Sequence, residues 1–199
     1  DHILPDRIHM LSVAFLVPTL RRNFGGCAGN IAYNLKLLGG DGQPMAAVGM
    51  DFGPYDEWLQ EQGIGRDHLL RKDDTYTAQA FITTDLDDNQ ITAFHPGAMN
   101  FSHLNSVKDS REIHLGIVAP DGRDGMMQHA REFHEMGIPF MFDPGQGLPM
   151  YNGDELLNFM QQANYIAVND YEAQLLQDRT GYKLESLANK DKVLIITLG

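Results

Sequence analysis

Phe24-Gly25-Gly26-Cys27-Ala28-Gly29-Asn30-Ile31-Ala32 is the stretch from which the rest of the chain is read. Small residues lead into the run Ile31-Ala32-Tyr33-Asn34-Leu35-Lys36-Leu37-Leu38, which stops at Gly39-Gly40. Ile31, Leu35 and Leu38 recur at helical spacing, and glycine is favoured just past a helix end. The spacing therefore predicts a helix that opens on the diglycine and closes at Gly39. Gly25 and Gly26 remove side chains where the backbone must turn or let a ligand come close. A helix start presents free amide donors and a partial positive charge, which suits hydroxyls and anions. By themselves the same residues also describe a tight turn feeding a core helix.

The spacing around them is more specific. From Gly25 the chain reads Gly-Gly-x-Ala-x-Asn-x-Ala, then six residues to Gly39 and nine more to Gly49. This pattern resembles, position for position, the first signature of the ribokinase-like (PfkB) sugar and nucleoside kinases. The wording from Arg21 to Asn30 is most similar to the bacterial adenosine-kinase-like branch.

The totals fit an ordinary globular chain. Its 199 residues are 43% hydrophobic and 21% charged, with 20 glycines and 9 prolines. A net charge of -12 with no basic run argues against a nucleic-acid surface. No apolar run approaches the roughly 20 residues of a membrane span. Asp1-His2-Ile3-Leu4-Pro5 lacks the basic and apolar regions of a signal peptide. One cysteine excludes an internal disulfide and suits a reducing compartment, so a cytoplasmic protein is expected.

Along the chain, Met10 to Val17 reads as a strand halted at Pro18, and Met45 to Met50 as another. Asp51-Phe52-Gly53-Pro54 makes a turn, and Tyr55 to Gln62 a short helix stopped by Gly63. Tyr76 to Thr84 and Gln90 to Phe94 are β-branched and aromatic, separated by the turn-rich Asp85 to Asn89. They read as a hairpin with one face packed and the other toward water or a ligand. Strands and helices then alternate. Strands are expected at Ile113–Ala119, Pro139–Phe142, Tyr165–Val168 and Val193–Thr197, with helices at Met126–Met136, Leu156–Gln162 and Tyr171–Gln177. Such alternation implies parallel βαβ units.

The fold class expected is therefore α/β, a ribokinase-like parallel sheet flanked by helices, with a small β-sheet lid. The resemblance divides the chain into lid strands over 1–24, core over 25–74, the lid hairpin over 75–100 and core over 101–199. It also implies a chain incomplete at both ends, because family members are longer and Leu194-Ile195-Ile196-Thr197-Leu198-Gly199 is a strand running into a glycine turn.

The resemblance assigns roles residue by residue. Gly25, Gly26 and Asn30 would hold sugar hydroxyls; an amide side chain that donates and accepts at once suits that task. Asn30 could instead cap or face solvent at the helix start. Asn169-Asp170-Tyr171-Glu172 matches an Asn-x-x-Glu motif tied to magnesium and phosphate through water, which makes Glu172 an indirect metal residue. The same four residues form a capping-box pattern, and both readings can hold together. Asp143, in Asp143-Pro144-Gly145-Gln146 at a strand end, would position a cation or phosphate-contacting group, although Asp before Pro-Gly is also ordinary turn chemistry. Phe15, Gln79 and Phe81 lie on segments similar to the lid over the sugar. Thr197 and Gly199 resemble a Thr-x-Gly at the edge of the nucleotide site.

Other chemistries are not supported. The 8 histidines show no H-E-x-x-H spacing, and no phosphate loop, nicotinamide fingerprint or nucleophile elbow occurs. The family's catalytic base, an Asp in a Gly-Ala-Gly-Asp turn, is absent and expected beyond residue 199. The resemblance implies transfer of the γ-phosphoryl of ATP, with Mg2+, to a primary hydroxyl of a nucleoside, adenosine first. The alternatives are a sugar kinase acting on ribose or fructose and a non-catalytic nucleoside or sugar sensor. A homodimer through the lid is a further expectation, since edge strands invite pairing.

Overall fold

The computed structural model describes residues 16–187 and 192–198. The strand expected from Met10 lies almost wholly outside them. Its last residues, Leu16 and Val17, are exposed and in no strand.

The diglycine opens helix α1, Cys27–Leu37. Gly39 at φ 82° closes it: the Gly39 amide donates to the Lys36 carbonyl and the Gly40 amide to that of Leu35, the paired bonds of a left-handed helix stop. The expected stripe of Ile31, Leu35 and Leu38 is not the buried one. Ala32 alone is fully buried in α1, while Leu35, Leu37 and Leu38 are exposed. Strand β1, Ala46–Gly49, leads to α2, Gly53–Glu61, which begins two residues earlier than expected because Pro54 suits a first helical turn. A short strand not anticipated from the sequence, β2 (Leu69–Lys72), pairs parallel with β1. Ala32, Val48, Phe52, Leu59 and Ile64 form the core of this part.

Strands β3 (Gln79–Thr84) and β4 (Gln90–His95) form the expected antiparallel hairpin. Among the described residues, nothing packs closely on either of its faces. Phe81 on one face is 60% exposed, and Ile82 and Phe94 on the other are each 55% exposed, because the hairpin stands clear of both cores.

The remainder is a parallel sheet of β5 (Gly116–Val118), β6 (Phe140–Phe142), β7 (Tyr165–Asn169) and β8 (Val193–Thr197), in that order. Between its strands run α3 (Arg123–Glu135), α4 (Gly153–Gln162) and α5 (Asp170–Thr180). Val118, Phe140, Phe142, Ile166 and Val168 point into one core with Phe133, Leu156, Phe159 and Leu176 from the helices. The buried Glu132 carboxylate in α3 accepts from the Val107 amide, the Ser106 hydroxyl and the Gln128 side chain, so its charge is well partnered. The two parallel sheets are separate among the described residues. Asn105 joins β1 to α3, its side chain donating to the Ala46 carbonyl and its backbone carbonyl accepting from Gln128 and His129.

Candidate active site

Three structural parts hold the residues singled out above. The first is the diglycine turn. Gly26, at φ 89°, is the N-cap of α1, and no side chain caps the helix there. Asn30 lies one turn further in, exposed, with its amide bonded to the Gly26 carbonyl; capping is therefore not its task. The turn is held from α2. The Tyr55 hydroxyl donates to the Gly25 carbonyl at 2.9 Å, and its ring stacks on Phe24 with centroids 4.6 Å apart. A Cβ at Gly29 would overlap the Tyr55 hydroxyl, which accounts for glycine at that position.

The second part is the carboxyl end of the four-stranded sheet, where α/β folds bind ligands. Asp121 follows β5, Asp143 follows β6, Asn169 ends β7 and Thr197 ends β8. Asn169 and Thr197 are paired in the parallel register. Asn169 Oδ1 accepts from the Glu172 amide at 2.8 Å, and the Asn169 amide donates to Glu172 Oε2 at 2.9 Å, so the capping box is formed. Asp143 carries a raised pKa, first because it is partly buried and then because Glu172 adds negative charge beside it. Burial pushes Asp121 up to about 6, against the Gly122 amide that bonds it at 2.7 Å. Cys27 is exposed, but partial desolvation of its thiol raises it, and the charges of Asp143 and then Asp121 raise it further. The start of α1 and the ends of β5 and β6 thus share one electrostatic neighbourhood.

The third part is the hairpin. Gln79, Phe81 and Thr83 share the face of β3 that carries His95, Ala93 and Ile91 on β4. Gln79 Nε2 donates to Asp51 Oδ2 at 2.6 Å, and the Thr77 amide donates to Asp51 Oδ1 at 2.8 Å. Partial burial raises the Asp51 carboxyl, but the bonds from Thr77, its own amide and the charge of Arg22 together outweigh it and hold the group below the usual carboxylate range.

A pfkB family carbohydrate kinase model matches residues 1–199. The chain belongs to that family. It is 29% identical over 187 residues to the nucleoside kinase of Methanocaldococcus jannaschii, covering 92% of this chain and 61% of that one. It is also similar to the nucleoside kinase of Burkholderia thailandensis in complex with inosine. There the identity is 54% and the TM-score 0.90, over 94% of this chain and 63% of the other. The same Burkholderia enzyme in complex with ADP-inosine gives a TM-score of 0.86 over 98% and 62%. The chain therefore spans about three fifths of the length of these relatives.

Within this pfkB chain the structure pairs Asn169 with Thr197, while Cys27 and Glu172 each lie within electrostatic reach of Asp143. Gln79 is joined to Asp51, which leaves its carbonyl oxygen for other partners. Phe15 and Gly199 lie outside the described residues. Asp51, Tyr55 and Asp121 were not singled out from the sequence. Asp121 was accessible to the rule that picked Asp143, a carboxylate where a strand ends. Asp51 sat within a turn motif, and Tyr55 at the start of a short helix; each acts on a distant segment.

Among the described residues no group of three or more His, Cys, Asp or Glu side chains converges as a metal cage. Asp143 and Glu172 are nonetheless oxygen donors with excess negative charge, a fit for a hard cation that keeps most of its water. Two surface depressions, about 450 and 130 Å³, lie elsewhere. Asp56, Arg66 and Arg71 are among the residues lining the larger, and Asp41 and His68 among those lining the smaller. Neither includes a residue of the diglycine turn or of the β5–β8 strand ends.

Proposed function

We propose that this chain is the greater part of a nucleoside kinase, which transfers the γ-phosphoryl of ATP to a primary hydroxyl of a nucleoside. The observation that carries the proposal is the parallel register that pairs Asn169 with Thr197 at the carboxyl ends of β7 and β8, where the Asn169–Glu172 capping box is formed; the similarity to nucleoside kinases supports it. In this reading the Gly25–Gly26 turn and Asn30 engage the ribose hydroxyls. Gln79 and Phe81 cover the nucleoside from a lid spanning 75–100, and the core is formed by 25–74 and 101–199. Thr197 borders the nucleotide.

Phosphoryl transfer is mostly positioning and charge stabilisation. Magnesium, when bound, offsets the charge of the transferring phosphoryl. Glu172 would hold it through water, with Asp143 adding negative charge to the same region. The capping box fixes the Glu172 carboxylate at the start of α5, so the group is oriented before any ligand arrives. No Gly-Ala-Gly-Asp turn occurs in the sequence, and the group that accepts the hydroxyl proton is assigned to none of these residues.

Adenosine is the favoured acceptor from the sequence around Gly25. The inosine complex of the Burkholderia relative supports a purine nucleoside more broadly. No helix among the described residues is long and apolar enough to cross a membrane. A cytoplasmic location, where ATP and magnesium are at hand, goes with this reading. Pairing through the exposed hairpin is part of it as well, since Phe81, Ile82 and Phe94 are each more than half exposed.

The test is phosphorylation of adenosine, inosine, other nucleosides, ribose and fructose by the full-length protein with ATP and magnesium. Turnover of a purine nucleoside well above the free sugars is expected. Nucleoside binding without turnover would leave a sensor, and preference for a free sugar would leave a sugar kinase.

A further inference from the structure

The hairpin joins the rest of the molecule through a root, residues 75–77, that is gripped on two sides. The Met50 amide donates to the Thr75 carbonyl and the Ala98 amide to the Tyr76 carbonyl, each at 2.9 Å. The Gly49 amide donates to the Thr77 hydroxyl, also at 2.9 Å. A Cβ at Gly49 or at Gly97 would overlap the backbone of this root, so two backbones pass it closer than any side chain allows. The last glycine of the signature is thereby explained by contact with the hairpin root rather than with the diglycine turn.

Asp51 extends this grip beyond the root. One carboxylate oxygen takes the Thr77 amide and the other the Gln79 side chain, the first residue of β3. Arg22, a few residues before the diglycine, is 3.9 Å from Asp51 Oδ2. Four residues after Asp51, Tyr55 holds the Gly25 carbonyl. One short segment, residues 49–55, therefore ties both the diglycine turn and the hairpin.

We infer that Asp51 is a positioning residue: through Gln79 it sets the angle at which the Gln79–Phe81 face of the hairpin meets a nucleoside held at the diglycine turn. This rests on the nucleoside-kinase reading. A charged acceptor is needed because a hydrogen bond to a carboxylate is stronger and more directional than one to a neutral group. The exposed Arg22 adds little energy of its own, since solvent screens such pairs. Asp51 acts on the nucleoside only through the side chain it holds.

Two experiments on the full-length protein test this. In the first, Asp51→Asn, Gln79→Ala and the double variant are compared for nucleoside KM and kcat. Asp51→Asn is expected to raise nucleoside KM about tenfold with much less effect on kcat, and to add nothing in the Gln79→Ala background. Losses that multiply in the double variant, or a fall in kcat at unchanged KM, would overturn the inference. In the second, amide hydrogen exchange is followed without ligand. Asp51→Asn should accelerate exchange at Thr77 and along β3 while leaving β5–β7 unchanged; unchanged exchange at Thr77 would overturn it too. If the unmodified protein binds no nucleoside, the functional reading fails, and the exchange experiment alone decides whether Asp51 pins the hairpin. If Asp51→Asn does not fold, Gln79→Ala in both experiments decides: it should raise KM and loosen β3 but leave Thr77 protected.

Discussion

Asn152–Glu155 at the start of α4 and Asn169–Glu172 at the start of α5 make the same pair of hydrogen bonds. In each, the Asn side chain accepts from the Glu amide and the Glu carboxylate accepts from the Asn amide. Their surroundings differ. Glu155 is ion-paired with Arg123, whose guanidinium also lies over the Tyr151 ring, and its pKa is lowered by the Asn152 amide and by Arg123. Among the described residues Glu172 has no such cation, and its charge adds to the burial that raises the Asp143 carboxyl. One box is neutralised and closes a helix; the other closes a helix and leaves negative charge unbalanced at the strand ends. The local pattern specifies a cap in both cases, and only the charge around it separates a structural cap from a candidate site.

Breaking the comparison starts with the carboxylates. Glu172→Gln keeps a side chain that can serve a capping box. It is expected to lower phosphoryl transfer by on the order of a hundredfold, the loss seen when one electrostatic group of a transition state is removed. Thermal stability should change little. Glu155→Gln should leave the rate unchanged and lower the melting temperature slightly. Equal rate losses in the two variants would erase the distinction.

Burial of the Asp121 carboxyl beyond the end of β5 should appear in stability against pH. Asp121 titrates at about 6 in the folded protein against an ordinary 3.8, so the folded state holds a proton that the unfolded chain has released between those values. Stability from this group is full at low pH and is lost as pH rises through about 6, an effect of roughly 3 kcal/mol for such a shift. Chemical denaturation between pH 4 and 7 measures it, and Asp121→Asn should flatten that part of the curve. A curve unchanged by Asp121→Asn would show that Asp121 is not the group titrating in that range.

The caps themselves should be alike. Asn152→Ala and Asn169→Ala should each cost about 1 kcal/mol in unfolding free energy. Only Asn169→Ala should also slow phosphoryl transfer, because losing the Oδ1 acceptor of the Glu172 amide loosens the first turn of α5, which carries the Glu172 carboxylate. Arg123→Ala is the smallest expected change, a modest loss of melting temperature with the rate retained.

Much of this was legible in sequence because it is local. The β-branched runs around Asp85–Asn89 specified the hairpin, the spacing of Asn169 and Glu172 specified the box, and Gly39 specified the end of α1. Features that depend on distant partners were not. Strand β2 is four residues, Leu69-Leu70-Arg71-Lys72, with no alternation to mark it; pairing with β1 makes it a strand. The buried side of α1 narrows to Ala32, so the wider apolar stripe misled. The hairpin's alternation suggested a packed face, yet Phe81 on one face and Ile82 and Phe94 on the other are each more than half exposed. Asp51 looked like turn chemistry, and its partners Thr77 and Gln79 come only with the fold.

The most direct test of the account is a magnesium titration of nucleoside phosphorylation by the full-length protein, run side by side for the unmodified chain, Glu172→Gln and Glu155→Gln. The account expects half-maximal activity to move to higher magnesium for Glu172→Gln, with the unmodified chain and Glu155→Gln superimposed. A curve for Glu172→Gln that superimposes on the other two, or the same displacement in both variants, would contradict the assignment of the α5 box to the phosphate end of the site.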